Sequence, residues 1–345
     1  MPAVSVVISV YNGREFVREA VASILDGTFS DLEVLVMDDG STDDSARIVE
    51  SMGDPRVRVE RCGVNRGVSV VRNEAHKLCR GKYIVVMDAD DIATPDRIES
   101  QVRFMEANPH VDICGAQLQS FGSASDRSHY PLRHEEIRAT ALFYCPMGHP
   151  TLIKRKAALD RVGIGYNPGF RIANDYEYYA DAFAAGLTFA NLPDILLRHR
   201  VHGGSLTGSK EAVMKREAQG ARSRLFTHAF PTLSISDMLA FSDLAALQLK
   251  ARRRVILELC GTVARITDAV GPGRGYDPMT FETLLVRFWM LAARGFIDQR
   301  ICQRGDIEAV AIYDPRFAAF LRRNEAMITS EGAMLGELLA ALRDA

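Results

Sequence analysis

From Val4 to Val10 the chain is apolar and dominated by β-branched residues, and it stops at Tyr11-Asn12-Gly13, the mark of a buried strand opening into a loop. Phe16, Val17, Ala20, Val21 and Ile24 then recur at helical spacing and predict a helix from Glu15 to Leu25. Leu32 to Met37 reads as a second strand. It ends in Asp38-Asp39-Gly40-Ser41-Thr42-Asp43, where glycine permits a tight turn and Ser, Thr or Asp can cap a helix from about Ser45. Val57 to Arg61 is a third strand. Gly67 to Cys79 is a helix with Val70, Val71, Ala75 and Leu78 as its apolar positions. Lys82 to Met87 is a fourth strand, stopping at Asp88-Ala89-Asp90-Asp91.

Strands that alternate with helices predict an α/β fold, a mostly parallel sheet flanked by helices. Val111 to Phe121 and Thr151 to Ile153 read as further strands, and Asp175 to Gly186 as a helix on the substrate side. Beyond Lys210 the pattern becomes helical, with Leu244, Leu247, Ala251, Val255, Leu259 and Val263 forming one apolar stripe. Gly271-Pro272-Gly273-Arg274-Gly275 divides that region in two. The expected organisation is therefore an α/β domain over 1–209, followed by a helical C-terminal extension over 210–345.

Composition narrows the partners. Hydrophobic residues make up 47% and charged residues 25% of the chain, which suits a globular protein with a sizeable core. A formal charge of −2 offers polyanions no general attraction, so nucleic acid is not an expected partner. The six cysteines are scattered without Cys-x-x-Cys spacing, which fits reduced thiols better than a disulfide or zinc framework. The apolar amino terminus has no basic segment before it and no small-residue cleavage pattern after it, so it is expected to be a strand rather than a leader. No stretch approaches the roughly 20 apolar residues a membrane-crossing helix needs.

In doubly wound sheets, ligands sit beyond the carboxyl ends of the strands, and both acidic clusters fall there. Asp88 and Asp90, one residue apart on a turn, can face one hard cation, which prefers oxygen ligands. Such a cation could bridge the phosphates of a nucleotide and offset the charge growing on a leaving diphosphate. Asp38 and Asp39 end another strand, where a carboxylate can accept a hydrogen bond from a base N–H, and Tyr11 offers a ring for stacking. Taken singly, each has a plainer explanation: Asp-x-Asp solvates a turn, Asp39-Gly40-Ser41 is good turn chemistry, and Tyr11 covers the core edge. Their coincidence at three strand ends is what points to a ligand.

The segments VSVVISVYNGREFV, LEVLVMDDGSTDDS, NRGVSVVRNEAHKLCRGKYIVVMDADD and TPDRIESQ resemble the inverting family 2 glycosyltransferases of GT-A fold. The likeness is dense from Ala3 to Gln101, and it implies that the α/β domain is nucleotide-binding in 1–101 and acceptor-side in 102–209. It continues more loosely through Gly148-His149-Pro150-Thr151, Asn174-Asp175-Tyr176-Glu177 and Leu192-Pro193-Asp194 to Arg200-Val201-His202. It implies that Ser9, Tyr11, Asp39, Arg72 and Asp88 contact the nucleotide sugar, with Asp39 and Tyr11 on the base, and that Asp90 ligates the metal directly. The family keeps its catalytic base in a Glu-Asp motif at the start of an acceptor-side helix, and Asn174-Asp175 occupies that place. Asp175 is thus the expected base. Asn174 departs from the family's usual glutamate, which bears on acceptor positioning rather than on the base. A helix-terminal aspartate favoured by the macrodipole is the structural alternative for Asp175. His202 is an expected metal or diphosphate residue, because imidazole binds metals and imidazolium binds phosphate. His149 is not expected to be catalytic.

The expected reaction is inverting transfer of a hexose or N-acetylhexosamine, with Mn²⁺ or Mg²⁺, from a nucleoside diphosphate sugar, UDP-linked by resemblance, to a saccharide or glycolipid hydroxyl. The setting expected is cytoplasmic, with peripheral association at the inner membrane face and self-association through the C-terminal helices as further expectations. Lys250-Ala251-Arg252-Arg253-Arg254 would serve an anionic surface, although such arginines more often form a solvated helix face. Two rival functions make different demands on the sequence. A sugar nucleotidyltransferase would need a glycine-rich, basic amino-terminal phosphate loop, which is missing; a non-catalytic nucleotide-binding scaffold of a polysaccharide assembly complex would not need the intact acidic set.

Overall fold

The computed structural model describes residues 1–203, 211–245, 253–269, 276–298, 307, 310–311 and 314–331. One sheet of eight strands organises the first part: β1 (Val4–Val10), β2 (Leu32–Asp38), β3 (Val57–Arg61), β4 (Tyr83–Asp88), β5 (Ile92–Ala93), β6 (Ile113–Gly122), β7 (Ile153–Arg155) and β8 (Phe189–Val201). Their order is β3-β2-β1-β4-β7-β6-β8-β5. β3, β2, β1 and β4 run parallel. β7 is antiparallel to both β4 and β6, β8 is parallel to β6, and β5 is antiparallel to β8, so the sheet is mixed.

Alternation along the central strands sorts side chains to two faces. Val4, Val6, Ile8 and Val10 pack with Val34, Val36, Val85 and Met87 against Val17, Ala20, Val21 and Ile24 of α1 (Val17–Leu25) and Ile98 and Met105 of α4 (Arg97–Ala107). Val7, Leu35, Met37 and Ile84 meet Val71, Ala75 and Cys79 on and just after α3 (Val68–Leu78) on the other face. Ser9 pairs in register with Asp88, and both continue the α3 face where the apolar layer ends. The same alternation that builds the core therefore delivers these polar groups to the strand ends.

Thr151 does not open a strand, contrary to expectation. His149–Thr151 forms a 3₁₀ turn and β7 begins at Ile153. Proline at 150 has no N–H to give a ladder, and Thr151 turns its own N–H back to Gly148 O at 2.9 Å. Its hydroxyl donates to Gly148 O at 2.7 Å and accepts from Ala116 N at 3.0 Å.

Among the described residues the chain forms two compact units, 1–137 with 145–218, and 138–144 with 219–345. The second is helical, with α9 (Ile235–Ala245), α10 (Arg253–Ala269), α11 (Pro278–Asp298) and α12 (Pro315–Arg323); the helices before α9 also include α2 (Ser45–Glu50), α5 (His134–Ala141), α6 (Lys156–Val162) and α8 (Glu211–Ala229). Its core is aromatic: Phe143 lies 5.1 Å from Phe241 and 5.4 Å from Phe281 between ring centroids, and Trp289 lies 5.6 Å from Phe317. Of the apolar stripe, Leu244 is buried on α9, and Leu259 and Val263 on α10. Leu247, Ala251, the Gly271–Gly275 run, and Lys250, Ala251 and Arg252 of the basic segment lie outside the described residues.

Candidate active site

The loops after β1 and β2 are laced together. Asn12 adopts a left-handed conformation (φ 52°), its N–H donates to Ser41 Oγ at 2.9 Å, and its side-chain oxygen accepts from Thr42 N at 2.8 Å. Gly13 N donates to Ser45 Oγ at 2.9 Å and Arg14 N to Asp43 Oδ2 at 3.1 Å. Tyr11 is left 51% exposed, so its ring is open to a ligand. Asp39 is nearly buried, and its two carboxylate oxygens accept from Arg66 N at 2.8 Å and Gly67 N at 2.9 Å. The carboxylate thus fixes the 62–67 loop, and each oxygen keeps a second lone pair for a ligand donor. Gly40 (φ 74°) makes this approach sterically feasible, since a Cβ there would lie 2.4 Å from Val64 C.

Arg72 joins the donor end of the sheet to the acceptor side. Its Nη2 donates to Asp88 Oδ1 at 2.9 Å, and its Nη1 donates to Asn174 Oδ1 at 3.0 Å, at the start of α7 (Asn174–Ala184). Asn174 therefore holds the arginine that also grips Asp88. Burial pushes the Asp88 carboxyl up to about 6 against the pull of Arg72, with Asp91 and Asp90 adding to the rise, although 37% of its side-chain surface stays open. Ser9 Oγ, paired in register with Asp88, is buried without a hydrogen-bond partner.

Asp175 follows on the same helix. Its Oδ1 accepts from Tyr176 N at 2.7 Å, and Cys145 Sγ lies 3.6 Å from its Oδ2. Burial raises its pKa, opposed by the Tyr176 N–H, Arg72 and the thiol. A carboxylate with a raised pKa is a stronger proton acceptor.

Asp90 Oδ2 and His202 Nε2 stand 3.0 Å apart, at the ends of segments distant in sequence, and Phe16 packs beside the imidazole with ring centroids 5.0 Å apart. Among the described residues no three His, Cys, Asp or Glu side chains form a metal-binding group.

The glycosyl transferase family 2 model matches residues 5–175. An uncharacterized glycosyltransferase of Haemophilus influenzae is 31% identical over 246 residues, covering 65% of this chain and 90% of the relative. The chain belongs to glycosyl transferase family 2. A second H. influenzae glycosyltransferase is 32% identical over 59% of this transferase, and the match spans 66% of that relative. The UDP-Glc:alpha-D-GlcNAc-diphosphoundecaprenol beta-1,3-glucosyltransferase WfaP of Escherichia coli is 27% identical, with 65% of this transferase and 87% of WfaP covered. Among solved structures, Staphylococcus aureus TarS 1–349 with UDP-GlcNAc superposes at TM-score 0.61 and 19% identity, over 86% of this transferase and 89% of that chain. The mannosyltransferase PcManGT of Pyrobaculum calidifontis, with GDP-Man and Mn²⁺, gives 0.53 at 18% identity, over 86% and 87%. These two likenesses carry the GT-A-like fold.

In the transferase, further polar residues dock the end of β8, and no local pattern marks them as partners. Asp91 is fully buried; it meets His199 Nδ1 at 3.0 Å and accepts from Arg200 N at 2.9 Å, while Arg200 Nε donates to Asp90 O at 2.9 Å. The bond to Asp91 raises the His199 pKa. Arg97, also fully buried, donates to Val86 O at 2.8 Å and Pro150 O at 2.6 Å, and burial lowers its pKa to about 10. A third aspartate in Asp88-Ala89-Asp90-Asp91 and the Arg-His-Arg run before His202 were the available signals. Neither indicates its partner.

Proposed function

We propose that the enzyme moves a hexose or N-acetylhexosamine, with inversion, from a UDP-sugar to a hydroxyl of a saccharide or lipid-linked saccharide. The observation that carries this reading is the Arg72 fork, which ties Asp88 at a strand end to Asn174 beside Asp175. The donor-side carboxylate Asp88 and the amide next to Asp175 thereby share one guanidinium, whose charge also acts on the Asp175 carboxyl and supports reading them as one site. The UDP donor is supported by TarS and WfaP, and the lipid-linked acceptor by WfaP. We assign the chemistry to the region 1–209, with 210–345 as a helical appendage, and place the enzyme in the cytoplasm, peripherally at a membrane. Among the described residues no helix is long and apolar enough to cross one.

Asp90 and His202 fit a divalent metal. Their donor atoms converge, and their side chains are 30% and 29% exposed, which leaves an open side for diphosphate oxygens and water. A mixed oxygen and imidazole set suits Mn²⁺ better than Mg²⁺, which prefers oxygen alone. Bound there, the cation would supply charge neutralisation at the leaving diphosphate.

The chain's own residues do the rest. Tyr11 stacks on the uracil, the remaining lone pairs of Asp39 accept its N–H, and Ser9 Oγ and Asp88 face the ribose and the diphosphate. Asp175 takes the proton from the acceptor hydroxyl as that oxygen attacks the anomeric carbon. The carbon–oxygen bond to the diphosphate breaks on the opposite side, the electron pair leaves with UDP, and the configuration inverts. A panel of nucleotide sugars, assayed for nucleotide release with Mn²⁺, tests the donor. Turnover is expected for UDP-linked hexoses, lost in EDTA and in Asp90→Ala; preference for a GDP-sugar, or full activity of Asp90→Ala, contradicts the assignment.

A further inference from the structure

Tyr166 has no role in the scheme above, yet four elements converge on it. Its N–H donates to Asn73 Oδ1 and its carbonyl accepts from Asn73 Nδ2, both at 2.7 Å, which clamps its loop to α3 next to Arg72. Its hydroxyl lies 2.9 Å from Lys154 Nζ on β7 and 2.8 Å from His149 Nε2 on the 3₁₀ turn. Its ring stacks on Tyr178 of α7 with centroids 4.5 Å apart, and the Arg72 guanidinium carbon lies 5.5 Å from its centroid. The preceding Gly165 allows no slack, since a Cβ there would come within 2.8 Å of Asn73 Oδ1.

The proton order follows from lysine, which can only donate. Tyr166 oxygen accepts from Lys154, and its own proton goes to His149 Nε2. His149 suits this role: burial, with Arg72 and Lys154 nearby, holds it well below the usual imidazole range, so it is neutral. The Lys154 ammonium, nearly buried, lies 5.0 Å from the Tyr166 ring centroid and 4.8 Å from that of Tyr178, where the ring faces offset its charge. The hydroxyl is thus held from two sides, while the backbone clamp to Asn73 and the stack on Tyr178 fix the ring without it. That ring bears on Arg72, whose Nε is buried without a partner and so does nothing to orient the guanidinium.

We propose that Tyr166 is a positioning residue for the transfer. Wedged between Arg72 and the base-bearing helix α7, its ring sets how far Asp175 stands from the donor-side carboxylate Asp88. The inference rests on Asp175 being the base. A base displaced by about 1 Å costs on the order of 100-fold in rate while leaving nucleotide contacts intact.

The test is UDP release from UDP-glucose or UDP-N-acetylglucosamine with Mn²⁺, with thermal melting to verify folding. Tyr166→Leu is expected to lower kcat by about 100-fold with donor KM within about twofold. Tyr166→Phe keeps the ring and should hold kcat within about threefold. Gly165→Ala, which pushes the loop off Asn73 without removing a ring, should lower kcat by about tenfold and keeps the question open to test if Tyr166→Leu does not fold. A folded Tyr166→Leu with kcat near wild type, an effect confined to KM, or a Phe variant as impaired as Leu overturns the proposal. If Gly165→Ala leaves kcat unchanged, it is likewise refuted. Asp175→Asn separates the two ideas: if it retains turnover the base assignment fails, whereas an inactive Asp175→Asn beside unimpaired Tyr166→Leu refutes the positioning role alone.

Discussion

Arg72→Lys probes the link between the two halves of the site. Arginine presents a rigid fork, and here one prong takes Asp88 Oδ1 at 2.9 Å while the other takes Asn174 Oδ1 at 3.0 Å. A lysine keeps the positive charge but is a point donor, and it will follow the carboxylate. Asn174, nearly buried, would then lose the donor to its side-chain oxygen, at a cost of about 1–3 kcal/mol. If that fork is what holds α7 against the donor end during transfer, the loss appears in the barrier, and roughly 1.4 kcal/mol is tenfold. We expect kcat/KM for a UDP-sugar to fall by about 10- to 100-fold in a nucleotide-release assay, with the thermal midpoint lowered by only a few degrees. Arg72→Lys within twofold of wild type would refute the argument, because it would mean that charge alone, without the bridge to Asn174, suffices.

Other outcomes follow from the same geometry. Burial raises the Asp175 pKa, so the acidic limb of the kcat profile should lie above the ordinary aspartate value of about 4; a limb at or below that value points to another base. At the opposite pole of the sheet, Glu33 accepts from Ser5 Oγ at 2.6 Å and from Arg80 N at 3.0 Å and Nε at 2.8 Å. These bonds outweigh burial and lower its pKa, so its stabilisation is present above the unfolded value of about 4.3 and is lost as pH falls through the lower folded value. Glu33→Gln should therefore cost about 2 kcal/mol near neutral pH in denaturant melts, and the gap to wild type should close under acid. Gly40→Ala places a side chain in a left-handed conformation against Val64 C, which strains the backbone by about 1–2 kcal/mol before any clash. It should weaken UDP binding in calorimetry by displacing the loop that Asp39 holds; unchanged affinity would detach that loop from the base site.

The repeating strand and helix units, and the acidic residues where buried strands end, are legible in the chain without its fold. Both are local properties: burial on two faces demands uninterrupted apolar strands, and polar residues accumulate where that demand stops. Whatever depends on which distant segments meet came from the folded chain. It inserted β7 antiparallel between β4 and β6, and it joined residues 138–144 to the helical unit. It engaged the Asp39 carboxylate with backbone amides, and it put Arg72 against Asn174 and Asp91 against His199 and Arg200. Periodicity says which face of an element is buried, whereas these contacts depend on sheet order and loop paths, which no short window of the chain encodes.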